Sequence, residues 1–315
     1  MNTPDLQKIA YETRAMREAG ITLLIASALL AVFLFIPLAT LPGQSPEALG
    51  ATEAAPNAFI DVPVNAAAAI VYDLFTGETL YAKNASAQLP LASLTKLLTV
   101  YAALAELSED TPITIPPSAA AVEYPRVFNV GQTFSLSDLA RLTLTASLND
   151  GAAAIASAAA LRANRSESEM LAGAAAALRL SETYAINGSG LDVNAAVSGG
   201  YGSAADLARL AGALVARAPH IAAATTRSSA EATSAGGTHF SVKNTDPFID
   251  AIPGLLLSKT GYTELAGGNL VLVFDVGLGH PVAVVVLGSS QKERFTDATA
   301  LVAATLAHFA GIASL

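Results

Sequence analysis

The chain has 315 residues, enough for one sizeable core or two modest ones. Lys and Arg number 17 against 26 Asp and Glu, and the resulting net charge of -9 offers nucleic acid no basic surface. Cys is absent, which excludes disulfides, thiolate metal sites and Cys nucleophiles. The four His (His220, His239, His280, His308) show no metal-ligand spacing, so neither a metal nor a cofactor is implied, while a Ser-His-Asp arrangement stays open.

Residues 20–41 carry no charge and as a helix would extend about 33 Å, enough to cross a bilayer core. Lys8, Arg14 and Arg17 precede this stretch and no Lys or Arg follows until Lys83, a bias that puts the N-terminus in the cytoplasm. The stretch reads as a membrane span or a signal peptide; the long leading segment 1–19 and the lack of an Ala-x-Ala site favour a retained anchor in the cell membrane. Residues 42–62, with Pro42, Gly43, Pro46, Gly50 and Pro56, read as a linker, and the folded, extracytoplasmic part is expected over 63–315.

Within that part, 68–74 and 78–83 flank Thr76-Gly77 as a β-hairpin. A helix is predicted over 93–106, then a Pro-rich loop excursion over 107–136 with a short strand at 132–136. Ser137 with Asp138 caps a helix to 146, and Asp150 opens another to 161, leaving Ser147-Leu148-Asn149 in the bend between them. Ser166 and Glu169 form a capping box for a helix to 180, and Ser203 caps one to 216. Strands follow at 255–259, 269–276 and 281–287, and a closing helix at 292–309. This order implies one α+β unit, an antiparallel sheet in which first and last segments pair, flanked by helices, with the middle third as a helical lobe. A cleft between sheet and lobe would gather residues 93, 147 and 259.

Ser93 and Lys96 stand three residues apart, nearly one helical turn, so the Lys amine can reach the Ser hydroxyl as base to nucleophile. In the first turn of a helix, the unpaired N–H groups would lie beside an anionic intermediate. Acylation of Ser93 requires an unprotonated Lys96, which burial and a second cation, Lys259, would favour. The Ser147 hydroxyl can pass a proton to a leaving amine, and Asn149 can orient a substrate amide. Lys259 and Thr260 suit a terminal carboxylate, and Gly261 leaves the strand unobstructed to a peptide backbone. Each motif alone has a plainer reading: a helix cap with a solvated Lys, a second cap, a surface turn. Ser-x-x-Lys even recurs at Ser289 and Lys292. The three together, in this order, favour function.

With PLASLTKLLT at 90–99, GQTFSLSDLARLTLTASLNDGAAAIA at 131–156, TYAINGSGLD at 183–192 and LLLSKTGYTELAGGNLV at 255–271, the chain from about residue 68 onward resembles the serine D-Ala-D-Ala carboxypeptidases. These are the low-molecular-mass penicillin-binding proteins of the β-lactamase/transpeptidase-like superfamily. The resemblance implies an acylated Ser93, Lys96 as general base, Ser147 and Asn149 as the second motif, and Lys259, Thr260 and Gly261 as the carboxylate-binding strand. It also implies an oxyanion hole from the backbone N–H groups of Ser93 and Tyr262. The implied substrates are peptidoglycan stem peptides ending in D-Ala-D-Ala, with β-lactams as inhibitors and residues 20–41 in the membrane. Two departures stand out: Leu148 where the family usually has a small residue, and Asn244-Thr245-Asp246 where relatives often supply a further cation. Alternatives are a D-Ala cross-link endopeptidase, a class A-like β-lactamase using Glu182, and a membrane protein that binds wall peptides or β-lactams without turnover.

Overall fold

The computed structural model describes residues 58–313 and starts with an antiparallel hairpin, β1 (Ala68–Asp73) and β2 (Thr79–Lys83). A short strand, β3 (Leu89–Pro90), leads through a 3-10 turn at Ala92–Leu94 into α1 (Thr95–Glu106). The stretch expected to be loop instead holds β4 (Pro112–Thr114), α2 (Pro117–Ala120) and β5 (Thr133–Ser135). The helices α3 (Leu136–Ala146), α4 (Asn149–Ala163) and α5 (Glu167–Ala177) follow, then β6 (Tyr184–Ala185) and β7 (Gly200–Gly202), which join β3 in a small sheet. Next come α6 (Ala204–Arg217), α7 (Pro219–Ala224) and a hairpin of β8 (Ser229–Thr233) and β9 (His239–Lys243). The long strands β10 (Leu255–Thr263), β11 (Gly267–Asp275) and β12 (Pro281–Ser289) and the helix α8 (Glu293–Ala313) close the fold.

The main sheet has the order β10-β11-β12-β1-β2, antiparallel throughout, with Ala68 opposite Leu287 and Asp73 opposite Val282. First and last segments therefore pair, as the order of elements implied. Successive side chains of a strand point to opposite faces. Ile70, Val271, Val273, Val285 and Leu287 pack against the helical lobe, while Val71, Leu272, Phe274, Val284 and Val286 pack against Leu301 and Val302 of α8. A sheet covered on both sides needs apolar residues at every position, hence the unbroken run at 282–287. Each such fully buried side chain contributes about 1.5–3 kcal/mol.

Local chemistry sets the helix ends, and several differ from expectation. The cap of α3 is Ser135, whose Oγ accepts the Asp138 N–H at 3.1 Å, rather than Ser137. Ser166 and Glu169 form the expected capping box, and Ser203 Oγ accepts the Asp206 N–H at 3.2 Å; caps of this kind each contribute about 1 kcal/mol. Helix α5 stops at Ala177 rather than at 180, because Arg179 takes a positive φ of 56°. Strand β10 runs on to Thr263, paired with Gly267, so Lys259 sits mid-strand instead of at its end.

Residues Pro56–Leu315 form one compact unit, and Phe59 is buried against Tyr81 and His308, so the fold begins ahead of residue 63. The span expected at 20–41, with 1–19 and most of the linker, lies outside the described residues. Among the described residues no helix is long and apolar enough to cross a membrane.

Candidate active site

Ser93 occupies the 3-10 turn rather than the first turn of α1, and Ala92 before it adopts φ 49°. That is the left-handed region, unfavourable for any residue with a Cβ. Two neighbours hold the turn. Asn269, fully buried on β11, donates to the Pro90 carbonyl at 3.0 Å, and β10 packs directly on the turn at Gly261. A Cβ at Gly261 would stand 3.0 Å from the Leu91 carbonyl oxygen and 3.3 Å from the Ser93 backbone nitrogen. The glycine thus serves the approach of strand to nucleophile turn, beyond any clearance it gives a substrate.

Lys96 enters α1 with its side chain fully buried. Its Nζ lies 2.7 Å from Ser93 Oγ, 2.7 Å from Asn149 Oδ1 and 2.7 Å from the Ser189 carbonyl oxygen. The Asn149 amide is oriented by its Nδ2, which donates to the Glu123 and Tyr124 carbonyls at 3.1 Å each. Two of the three neighbours of Nζ are therefore carbonyls that only accept. A neutral amine spends its two protons on them and turns its lone pair to the Ser93 hydroxyl. Burial drives the Lys96 amine well below the ordinary range, the Lys259 charge pushes it further, and Asp150 partly offsets both.

Ser147 is the C-cap of α3, held at φ 59° and ψ 37°. Its hydroxyl accepts from Lys259 Nζ at 2.8 Å, while Lys259 also donates to the Thr260 carbonyl at 2.7 Å. The intervening Leu148 is buried in the helical core, so the bulky residue crowds the lobe interior and not Ser147. Burial lowers Lys259 to about 7, helped by the charge of Arg294. The Thr260 hydroxyl meets the Thr245 hydroxyl at 2.6 Å, and Tyr262 at the exposed end of the strand is about half exposed. All eight residues expected from sequence thus fall on one cleft between β10 and the lobe.

The sequence did not point to Arg294. This buried residue of α8 donates from Nη1 to the Gly261 carbonyl at 2.6 Å, and its Nε has no partner. Burial lowers its pKa and Asp246 opposes the shift. Asp246 itself is buried, accepting from Ser258 Oγ at 2.6 Å and from the Phe248 N–H at 2.8 Å. The expected extra cation is therefore absent from 244–246 and arrives from α8 instead. Arg294, Lys259 and Lys96 form a row of buried basic side chains, with Asp246 acting on one end and Asp150 on the other. Asp150 accepts the Val127 and Phe128 N–H groups at 2.7 Å each, tying the loop of Glu123 and Tyr124 to the second motif.

Glu182 lies elsewhere: its backbone is bonded to Gln88 and Asp206, and no site residue touches it. A cavity of about 550 Å³, lined by residues including Tyr72, Leu74, Leu256 and Asp275, sits at the other end of β10 and β11 and takes no part in this cluster. Among the described residues no cluster of His, Asp and Glu could hold a metal.

A sheet with a helical lobe, one serine bonded to the buried Lys96 and a second bonded to the buried Lys259, defines the penicillin-binding-protein class of serine peptidase. Residues 51–291 match the Peptidase_S11 family, D-alanyl-D-alanine carboxypeptidase, and the chain belongs to that family. A D-alanyl-D-alanine endopeptidase of Pseudomonas aeruginosa is 32% identical over 244 residues, 74% of each chain. Penicillin-binding protein D2 of Listeria monocytogenes, solved with cefotaxime bound, shares 28% identity at a TM-score of 0.64, over 77% of this chain and 97% of that one. A D-alanyl-D-alanine carboxypeptidase of Mycobacterium tuberculosis shares 25% identity at a TM-score of 0.66, over 80% and 94%. This protein is a serine D-Ala-D-Ala peptidase acting on peptidoglycan.

Proposed function

We propose that Ser93 Oγ attacks the carbonyl carbon of the terminal D-Ala-D-Ala bond while Lys96 Nζ takes its proton. The observation that carries this is the 2.7 Å Ser93–Lys96 contact, with both remaining neighbours of Nζ being carbonyl acceptors. The oxyanion gathers on the backbone N–H groups of Ser93 and Tyr262, at the strand that packs on the turn. Ser147, bonded to Lys259, hands a proton to the departing amine, and Asn149, instead of reaching a substrate amide, holds Lys96 with its Oδ1 while its Nδ2 is spent on the Glu123 and Tyr124 carbonyls. The terminal carboxylate is met by Lys259, the Thr260 hydroxyl and Arg294, whose positive charges repel one another until an anion arrives. Water then releases the acyl group by the reverse proton path.

β-Lactams acylate the same serine, a reading supported by the ampicillin and cefotaxime complexes of the Listeria relative. The domain works outside the cytoplasmic membrane, held by residues 20–41; the charge bias around that stretch supports this. The name of the Pseudomonas relative favours a second substrate, the D-Ala cross-link between stem peptides. D-Ala release from a stem pentapeptide, set beside cleavage of a cross-linked peptide dimer, tests both. Faster release of D-Ala marks a carboxypeptidase, faster dimer cleavage an endopeptidase, and neither reaction from folded protein would sink the hydrolytic reading.

A further inference from the structure

Residues 186–191, within the segment TYAINGSGLD, follow β6 and bring to the cleft the Ser189 carbonyl oxygen, 2.7 Å from Lys96 Nζ. The other polar groups of this turn are held elsewhere. Asn187 Oδ1 accepts the Ser189 N–H at 3.2 Å, the Ser189 hydroxyl at 2.9 Å and the Gly190 N–H at 2.8 Å, while its Nδ2 donates to the Leu191 carbonyl at 3.0 Å. Thr99, three residues after Lys96 on α1, donates its hydroxyl to the Gly188 carbonyl at 2.7 Å, and the Glu167 carboxylate of α5 accepts the Gly188 N–H. With Ser189 tied by both its N–H and its hydroxyl, its carbonyl is left aimed at the base.

The same turn also reaches the nucleophile. Gly190 adopts φ 74°, and a Cβ there would overlap the Ala92 carbonyl oxygen, so its backbone lies directly on the residue before Ser93. Ala92 is itself in the left-handed region, a conformation that persists only where its surroundings over-determine it. Gly261 presses on that turn at Leu91 and Ser93; Gly190 adds a second brace at Ala92. Asn187 therefore governs an acceptor on Lys96 and a support beneath Ser93 at once.

We propose that Asn187 is a positioning residue for acylation: its amide locks the 187–190 turn so that the Ser189 carbonyl directs the Lys96 amine and Gly190 steadies the Ser93 turn. The assignment rests on the reading of Ser93 as nucleophile and Lys96 as its base. A neutral amine has two protons to place and one lone pair to aim, and a carbonyl held fixed at one proton is what turns the lone pair toward the hydroxyl. If Ser189 were free to swing, the amine would lose that alignment, and a misplacement of about 1 Å costs on the order of 10²-fold in rate.

The test follows acylation of the full-length protein by a fluorescent penicillin in stopped flow, across pH, with melting temperatures alongside. Asn187→Ala is expected to lower the acylation rate constant on the order of 10²-fold and to leave the affinity of the preceding non-covalent complex unchanged. Its acid limb should also move to lower pH, because a carbonyl acceptor favours the ammonium form of Lys96 and that help is withdrawn. The charged groups around Lys96 are Lys259 on β10 and Asp150 on α4, with Glu167 on α5 behind the Gly188 N–H, and none is altered. A variant that was merely less well folded would keep the limb where it is. Asn187→Asp retains an acceptor for the same three donors and should recover most of the plateau rate. Thr99→Val loses the hydroxyl on Gly188 and should slow acylation several-fold with a limb shift of the same sign, a second reading should Asn187→Ala fail to fold. Wild-type rates in both Asn187→Ala and Thr99→Val, or slowed rates with unmoved limbs, would overturn the positioning role alone. No acylation of the wild type would overturn the Ser93 reading and this role with it.

Discussion

Two stretches of this chain carry the same pattern, Ser93 with Lys96 and Ser289 with Lys292, yet the fold treats them oppositely. In the first, the 3-10 turn and α1 run continuously from one residue to the other, and Lys96 is sealed beneath β10 and the lobe. In the second, β12 ends at Ser289 and α8 begins at Glu293, so no helical turn relates the pair. Ser289 Oγ donates to Asp297 at 2.8 Å, a carboxylate that also accepts the Asn65 and Ala66 N–H groups, and Lys292 is exposed. The lesson concerns charge. A lysine becomes a base through burial beside other cations, and spacing supplies only the opportunity.

The comparison breaks most sharply at the serines. Ser93→Ala should abolish covalent penicillin labelling and lower D-Ala release on the order of 10⁴-fold or more. Ser289→Ala should leave labelling intact and cost about 1 kcal/mol in urea unfolding, the worth of its bond to Asp297. Next come the lysines. Lys96→Arg keeps a charge that cannot be shed and should slow acylation on the order of 10³-fold in stopped-flow assays, while Lys292→Arg should change nothing measurable. Rates that survive Lys96→Arg would refute its role as base.

Arg294→Ala removes the cation behind Lys259 without touching the nucleophile. The expected result is a KM on the order of tenfold higher for peptides ending in a free carboxylate, with little change for the matching terminal amide. A last effect is on stability. Lys259 titrates at about 7 in the folded protein against 10.5 ordinarily, so above about pH 7 the unfolded chain binds the extra proton. The unfolding free energy should therefore rise as pH climbs from about 7 toward 10.5, and chemical denaturation at the two ends of that window checks the sign.

The parts legible in sequence were those with local signatures. The capping box at Ser166, the Val-rich strands and the triplets at 93, 147 and 259 announce themselves over a few residues. The hairpin of β8 and β9 stayed hidden because its inward positions, Ala230 and Ala232, are small and give little alternation. Arg294, Asp246 and the Ser189 carbonyl stayed hidden for a different reason: each reaches the site across a long sequence separation and carries no motif. In sequence Gly261 reads as clearance toward a substrate, whereas what presses on it is the nucleophile's own turn.

The pairing of Ala68 with Leu287 has a consequence in time as well as space. A chain made from its N-terminus presents β1 long before β12 exists, and β1 must wait for the last stretch before it gains that partner. Such long-range pairing slows folding and leaves strand edges open meanwhile. All three motifs are translated before β11 and β12, which carry Asn269 and fix β10 against the Ser93 turn. Until those final strands arrive, the nascent chain holds all three triplets without the partner that braces the Ser93 turn.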